Sequence, residues 1–161
     1  MAEEVIQPSK KSTKNTKKEY IFATGKRKTA VARVRLYEKA KDGLMFGELA
    51  VNKGDIVVNG KLIAEYFGGD VSKYLYTEPL RITNVHQNNY TFTIRVAGGG
   101  PAGQLQAVVV AIANALNKLD REKHRPILKK KGMLTRDARA RQRRKVGMGG
   151  KARRKRQSPK R

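Results

Sequence analysis

NYTFTIRVAGGGPAGQLQAVVVAIANALNKL, running from Asn89 to Leu119, is the stretch on which the fold turns. In its first part Tyr90, Phe92, Ile94 and Val96 alternate with Thr91, Thr93 and Arg95. Successive side chains of a strand point to opposite faces, so the alternation predicts a strand over Asn89–Ala97 with one face buried. Gly98-Gly99-Gly100-Pro101-Ala102-Gly103 ends that period. Leu105, Val108, Val109, Ile112, Leu116 and Leu119 then fall on one helical stripe. Pro101 suits an early helix position, where its missing N–H has no partner to lose. A strand that feeds a long apolar-striped helix predicts a helix lying on a sheet, hence an α+β body.

Working back from there, Leu80–Val85 reads as a strand joined to Asn89–Ala97 through a turn at His86–Asn89. Lys61–Phe67 has helical spacing and stops at Gly68-Gly69, and Val71–Tyr76 reads as a second short helix. Tyr66, Phe67, Tyr74 and Tyr76 share that spacing, which favours core packing over base stacking. Phe46–Asn52 and Asp55–Asn59 read as short strands, with Asn59-Gly60 as a hairpin turn and Glu38–Gly43 as a further turn. Tyr20–Thr24 begins a strand that Gly25-Lys26-Arg27-Lys28-Thr29 interrupts. From Ala30 to Tyr37, Ala32, Val34 and Leu36 alternate with Arg33, Arg35 and Tyr37. Two arginines therefore leave one sheet face beside a basic loop, with no acid until Glu38. Lys26, Arg27, Lys28, Arg33 and Arg35 are candidates for contact with RNA or DNA.

Beyond Asp120, Pro126–Lys131 has the makings of a short helix ending at Gly132. Arg121–Arg161 holds 19 Lys and Arg against Glu122 and Asp137, which is +17 of the chain's formal +24. Its few apolar side chains bury too little surface to offset the entropy of ordering, so it reads as an extended basic tail from Lys131 onward. Met1–Glu19 is polar and aperiodic and reads as a disordered extension without a signal-peptide apolar region; Glu3 and Glu4 speak against a transit peptide. Three segments result: 1–19, a globular body over 20–130, and the tail over 131–161. A charge excess gathered in one tail points to a polyanion. A membrane surface would call for bulky apolar anchors, which Arg139–Arg161 lacks, so nucleic acid is the expected partner.

Enzymatic readings find little to stand on. Gly25-Lys26 is no P-loop, since that motif requires Gly at position 20 and Ser or Thr at 27, where the chain has Tyr20 and Arg27. Gly98, Gly100 and Gly103 satisfy the dinucleotide spacing, yet no second strand ending in an acid follows the helix. Two readings of these glycines stay open: amides at a helix N-terminus that receive an RNA phosphate, or a tight strand-to-helix turn. The chain has no cysteine, and His86 and His124 have no ligand at metal-binding spacing. No catalytic residue, metal, cofactor or small-molecule substrate is expected. On composition alone a general nucleic-acid chaperone would serve as well as a dedicated RNA-binding protein.

Four ordered segments narrow that choice. They are Ala23-Thr24-Gly25-Lys26-Arg27-Lys28-Thr29-Ala30-Val31-Ala32-Arg33-Val34, then Val96 to Gln104, then Leu128 to Arg139, and last Lys151-Ala152-Arg153-Arg154 with Gln157 to Arg161. In this order they closely resemble the bacterial-type family of small ribosomal subunit protein nine, over about Tyr20 to Arg161. The resemblance implies a structural, non-enzymatic protein of the small-subunit head, in the cytoplasm. It implies a four-stranded sheet with helices on one face, in a β-α-β arrangement related to domain two of ribosomal protein five. It implies that Lys26, Arg27, Lys28, Arg33, Arg35, Gly98, Gly99, Gly100, Lys129, Lys130, Lys131, Arg136, Arg139, Arg141, Arg143, Arg144, Lys145, Lys151, Arg153 and Arg154 face small-subunit rRNA. Lys160 and Arg161 would reach the anticodon stem-loop of P-site tRNA, and neighbouring head proteins would be further partners. The chain departs from the family pattern in three places. Val109, Val110 and Asn114 stand where the long helix is usually basic. Ser158-Pro159 replaces an aromatic near the end, and one extra residue sits near Gly149-Gly150.

Overall fold

The structure, a computed structural model, describes residues 20–38, 44–47, 49–86 and 89–143. One edge of its main sheet is a hairpin of β1 (Ile21–Arg27) and β2 (Ala30–Tyr37), antiparallel and in register from Ile21↔Leu36 to Arg27↔Ala30. β2 pairs on its other side with β7 (Thr91–Ala97), again antiparallel. β5 (Ile56–Val58) then lies parallel to β7, and β6 (Lys61–Leu62) closes the far edge. The order is β1-β2-β7-β5-β6, with β3 (Leu44–Phe46) and β4 (Leu49–Val51) as a separate two-stranded hairpin. The main sheet thus has five strands where four were expected; the fifth is the two-residue β6 formed by the Asn59-Gly60 hairpin. Asn59 (φ 50) and Gly60 (φ 83) both sit in the left-handed region that such a two-residue turn demands.

Parallel strands need a crossover, and the chain between β5 and β7 supplies it with α1 (Ile63–Tyr66) and α2 (Asp70–Ile82). This is the expected β-α-β unit. Several local expectations change. Leu80–Val85 is no strand: its first three residues are the end of α2, which turns Tyr76 and Leu80 into the core four residues apart. Pro79 inside α2 does not stop it, and after the helix the Thr83 hydroxyl donates back to the Pro79 carbonyl at 2.8 Å. Phe46–Asn52 is broken at Gly47 (φ 71), so its two ends belong to the two strands of the β3–β4 hairpin. The interruption at Gly25–Thr29 shrinks to Lys28 and Thr29, because Gly25, Lys26 and Arg27 remain paired in β1. The turns expected at Glu38–Gly43 and His86–Asn89 lie largely outside the described residues.

α3 (Pro101–Leu119) crosses the sheet with Leu105, Val108, Ile112 and Leu116 buried, as its stripe predicts, together with Ala107, Ala111, Ala113 and Ala115. The alanines let the helix backbone approach β1. Its Asn114 Nδ2 donates to the Thr24 carbonyl at 2.9 Å and its Lys118 Nζ to the Phe22 carbonyl at 2.7 Å. These two side chains, one helical turn apart, occupy acceptors along the outer edge of β1, which would otherwise be open to pairing with another chain. α4 (Arg121–Lys130) starts five residues earlier than expected because Asp120 caps it, accepting from the Lys123 N–H at 3.1 Å. It brings His124 and Leu128 into the body. The core holds Val34, Leu36, Phe92 and Ile94 from the sheet against Val108, Ile112, Leu116 and Leu128.

Candidate nucleic-acid interface

The alternation that buries one sheet face leaves the other face cationic. On β1, Ala23 and Gly25 turn inward while Phe22, Thr24 and Lys26 turn out. On β2, Ala32, Val34 and Leu36 are buried while Arg33 and Arg35 are exposed. On β7, Arg95 is the exposed residue between buried Ile94 and Val96. Strand registry sets Arg33 opposite Arg95 and Arg35 opposite Phe22. Lys26, Arg33, Arg35 and Arg95 therefore share a surface, and none of them has a salt bridge to a carboxylate among the described residues. Aromatic rings are interleaved with these charges. The Arg35 guanidinium lies 4.9 Å from the centre of the Tyr20 ring, and Tyr20 meets Tyr37 at 5.7 Å. Arg95 lies 5.6 Å from the centre of Phe46. Exposed guanidinium groups beside π-faces suit phosphates and unstacked bases.

Arg27 has another environment. One residue along from Lys26, it points to the helix side, where its Nε donates to Gln106 Oε1 at 2.7 Å and its Nη1 meets Asp137 Oδ1 at 2.9 Å. The same Nη1 approaches the carbonyls of Asp137 and Arg139. Arg139 grips the Asp137 carboxylate with Nη2 at 2.7 Å, with Nε at 3.0 Å and with its own N–H at 3.0 Å. The Arg139 side chain first, then its amide and the Arg27 charge, hold the Asp137 carboxyl far below the usual carboxylate range. Met133 and Leu134 pack on the core just before this clasp. The segment after α4 is thereby fixed against the body, with Arg136, Arg141 and Arg143 exposed.

Lys28 tops the β1–β2 turn at φ 51, exposed, and Lys129, Lys130 and Lys131 are exposed at the end of α4. Lys28, Gly99 and Gly100 meet in one shallow cleft at the start of α3, lined also by Arg27, Gly103 and Gln106, whereas Gly98 lines the cleft that holds Arg33 and Arg95. Two of these glycines have a packing reason. A Cβ on Gly98 would sit 2.6 Å from the Thr29 carbonyl, and one on Gly99 would sit 2.9 Å from Ala30 Cβ. Both also have positive φ, whereas Gly100 is the extended residue before the helix. Arg144, Lys145, Lys151, Arg153, Arg154, Lys160 and Arg161 lie outside the described residues. Arg95 and Phe46 were missed as candidates. The strand alternation already placed Arg95 opposite the buried set, but nothing local says that Phe46 reaches it. Among the described residues no group of His, Asp or Glu gathers that could hold a metal ion, and no helix is long and apolar enough to cross a membrane.

A family model described as ribosomal protein S9/S16 matches residues 25–161. The chain belongs to that family. Three curated relatives are named small ribosomal subunit protein uS9. That of Leifsonia xyli subsp. xyli is 43% identical over 126 residues, which is 78% of this chain and 67% of the relative. That of Cutibacterium acnes is 41% identical over 126 residues, 78% of this chain and 65% of the relative. That of Maridesulfovibrio salexigens is 42% identical over 133 residues, 83% of this chain and 91% of the relative. Members of the S9 family are structural, non-enzymatic proteins of the small ribosomal subunit in the cytoplasm, and this S9-family chain is one of them. The departure at Asn114 also has a local account, since its amide is bonded to the edge of β1.

Proposed function

We propose that the chain is held on small-subunit rRNA by the open sheet face and the basic segment after α4, and that its last two residues touch P-site tRNA. The observation that carries this is the set of exposed cations Lys26, Arg33, Arg35 and Arg95 on one face without carboxylate partners, together with a second exposed set, Lys28, Lys129, Lys130, Lys131, Arg136, Arg139, Arg141 and Arg143, at the β1–β2 turn and after α4. Arg144, Lys145, Lys151, Arg153 and Arg154 extend the same contact, and Gly98, Gly99 and Gly100 let a phosphate approach the start of α3. Arg27 serves by fixing the root of this segment through Asp137. Phosphate contacts position the protein, and the shape of the RNA path supplies selectivity. Neighbouring small-subunit proteins of the head complete the partner set.

Lys160 and Arg161 would add charge-assisted contacts to tRNA phosphates, together about 1–3 kcal/mol. Deleting these two residues is expected to leave assembly of the small subunit intact and to raise the dissociation rate of P-site tRNA. An unchanged rate removes the tRNA role. For the rRNA role, binding to small-subunit rRNA is measured against random RNA at rising salt. With about eight phosphate contacts log K should fall against log salt with a slope of roughly −6 to −7. Loss of the preference for rRNA under competition favours a general RNA chaperone instead.

A further inference from the structure

Between the sheet and the β3–β4 hairpin lies a cleft of about 630 Å³, lined by Val31, Arg33, Phe46, Asn59 and Arg95 with glycines and small residues around them. We propose that this cleft takes one unstacked nucleotide of RNA, its phosphate between Arg33 and Arg95 and its base against Phe46. The proposal rests on the RNA-binding reading above and names a subsite within it. Arg33 and Arg95 are direct cross-strand partners. Like charges so placed repel, and among the described residues no carboxylate lines the cleft to relieve them. An anion arriving from outside would be held by both guanidinium groups at once.

The aromatic wall comes from an element with no pairing to the main sheet. Among the described residues β3 and β4 pair with each other in a separate sheet, and they place the centre of the Phe46 ring 5.6 Å from the Arg95 guanidinium. Gly47 and Gly60 leave the rim low, with nothing within 4 Å of where a Cβ would stand on either. The volume lies in the range of small-ligand sites, roughly 300–1,000 Å³, so it suits a nucleotide and excludes a duplex. Asn59 cannot read the base. Its Nδ2 donates to the Val96 carbonyl at 3.0 Å and its Oδ1 accepts from the Val96 N–H at 2.9 Å. Recognition would therefore depend on stacking and charge and tolerate any base.

The test uses the full chain bound to small-subunit rRNA, irradiated with ultraviolet light and read by mass spectrometry. An RNA adduct on Phe46 is expected. The double variant R33Q/R95Q should lose that adduct, keep adducts in the 129–161 segment, and bind about tenfold more weakly. F46L should weaken binding about fivefold or more. The free R33Q/R95Q protein should melt at the same or a higher temperature than the parent, because a repulsive pair is gone; a lower melting temperature would assign the arginines to the fold and overturn the proposal. Adducts in the basic segment with none at Phe46 overturn the cleft alone. An absence of rRNA binding by the parent overturns the broader reading and the cleft with it. A thermal shift with adenosine monophosphate and no Phe46 adduct would assign the cleft to a free nucleotide and also overturn it.

Discussion

A Cβ at Gly25 would lie 2.1 Å from the Ala107 carbonyl oxygen and 2.5 Å from the Ala111 nitrogen. Both obstacles are backbone of α3, so no rotamer change relieves them, and α3 must move off β1. Gly25→Ala is expected to cost at least about 3 kcal/mol, at the severe end of overpacking. Gly68→Ala, with open space around it, should be close to neutral; thermal unfolding of the two variants side by side checks the contrast. In the sequence Gly25 looks like a loop glycine beside three basic residues, and only the approach of α3 reveals its role. Asp137 is the second decisive residue. Its carboxyl is depressed in the folded chain, so the docking it supports is fully present above the ordinary Asp value near 3.9 and is lost as pH falls below that toward the depressed value. Tryptic cleavage after Arg136 and Arg139, taken relative to a short unstructured peptide of the same sequence at each pH, should be constant from pH 5 to 8. Asp137→Asn should speed it throughout that range, and equal rates would remove the clasp.

At the scale of elements, periodic stretches were legible and their junctions were not. β2 and α3 follow from alternation and a stripe that tertiary packing confirms, whereas β7, a strand as expected, is buried on both faces at Thr91–Ile94 rather than on one. α2 runs past Tyr76 and through Pro79, a helix breaker by propensity, because burial of Tyr76 and Leu80 outweighs one lost backbone bond. α4 was legible in part. The sequence predicts the helix only from Pro126, because Arg121–Arg125 holds no apolar side chain to mark the turn before it, yet Leu128 is fully buried among lysines and arginines. Leu128→Ala is therefore expected to destabilise the body by about 2–5 kcal/mol, as a buried leucine does, when measured by chemical denaturation. A loss below about 0.5 kcal/mol would mean that α4 only rests on the surface.

For the whole molecule, charge and fold are divided between segments, and the division can be tested by length. A chain ending at Arg143 keeps every described core residue, the Asp120 cap and the Arg27–Asp137 clasp. It loses nine Lys and Arg from Arg144 to Arg161. Its melting temperature should match that of the full chain, while its rRNA binding should show a shallower salt dependence. If the lost cations supply about half of the roughly eight phosphate contacts, the slope shrinks by about 3. A chain ending at Asp120 should behave differently, because it also removes Leu128 and His124 from the core, and it should unfold at a clearly lower temperature. Equal stability of all three lengths would show that α4 carries no weight. An unchanged salt slope at Arg143 would show that the open sheet face, with Lys26, Arg33, Arg35 and Arg95, does most of the binding and that the terminal charges lie away from RNA.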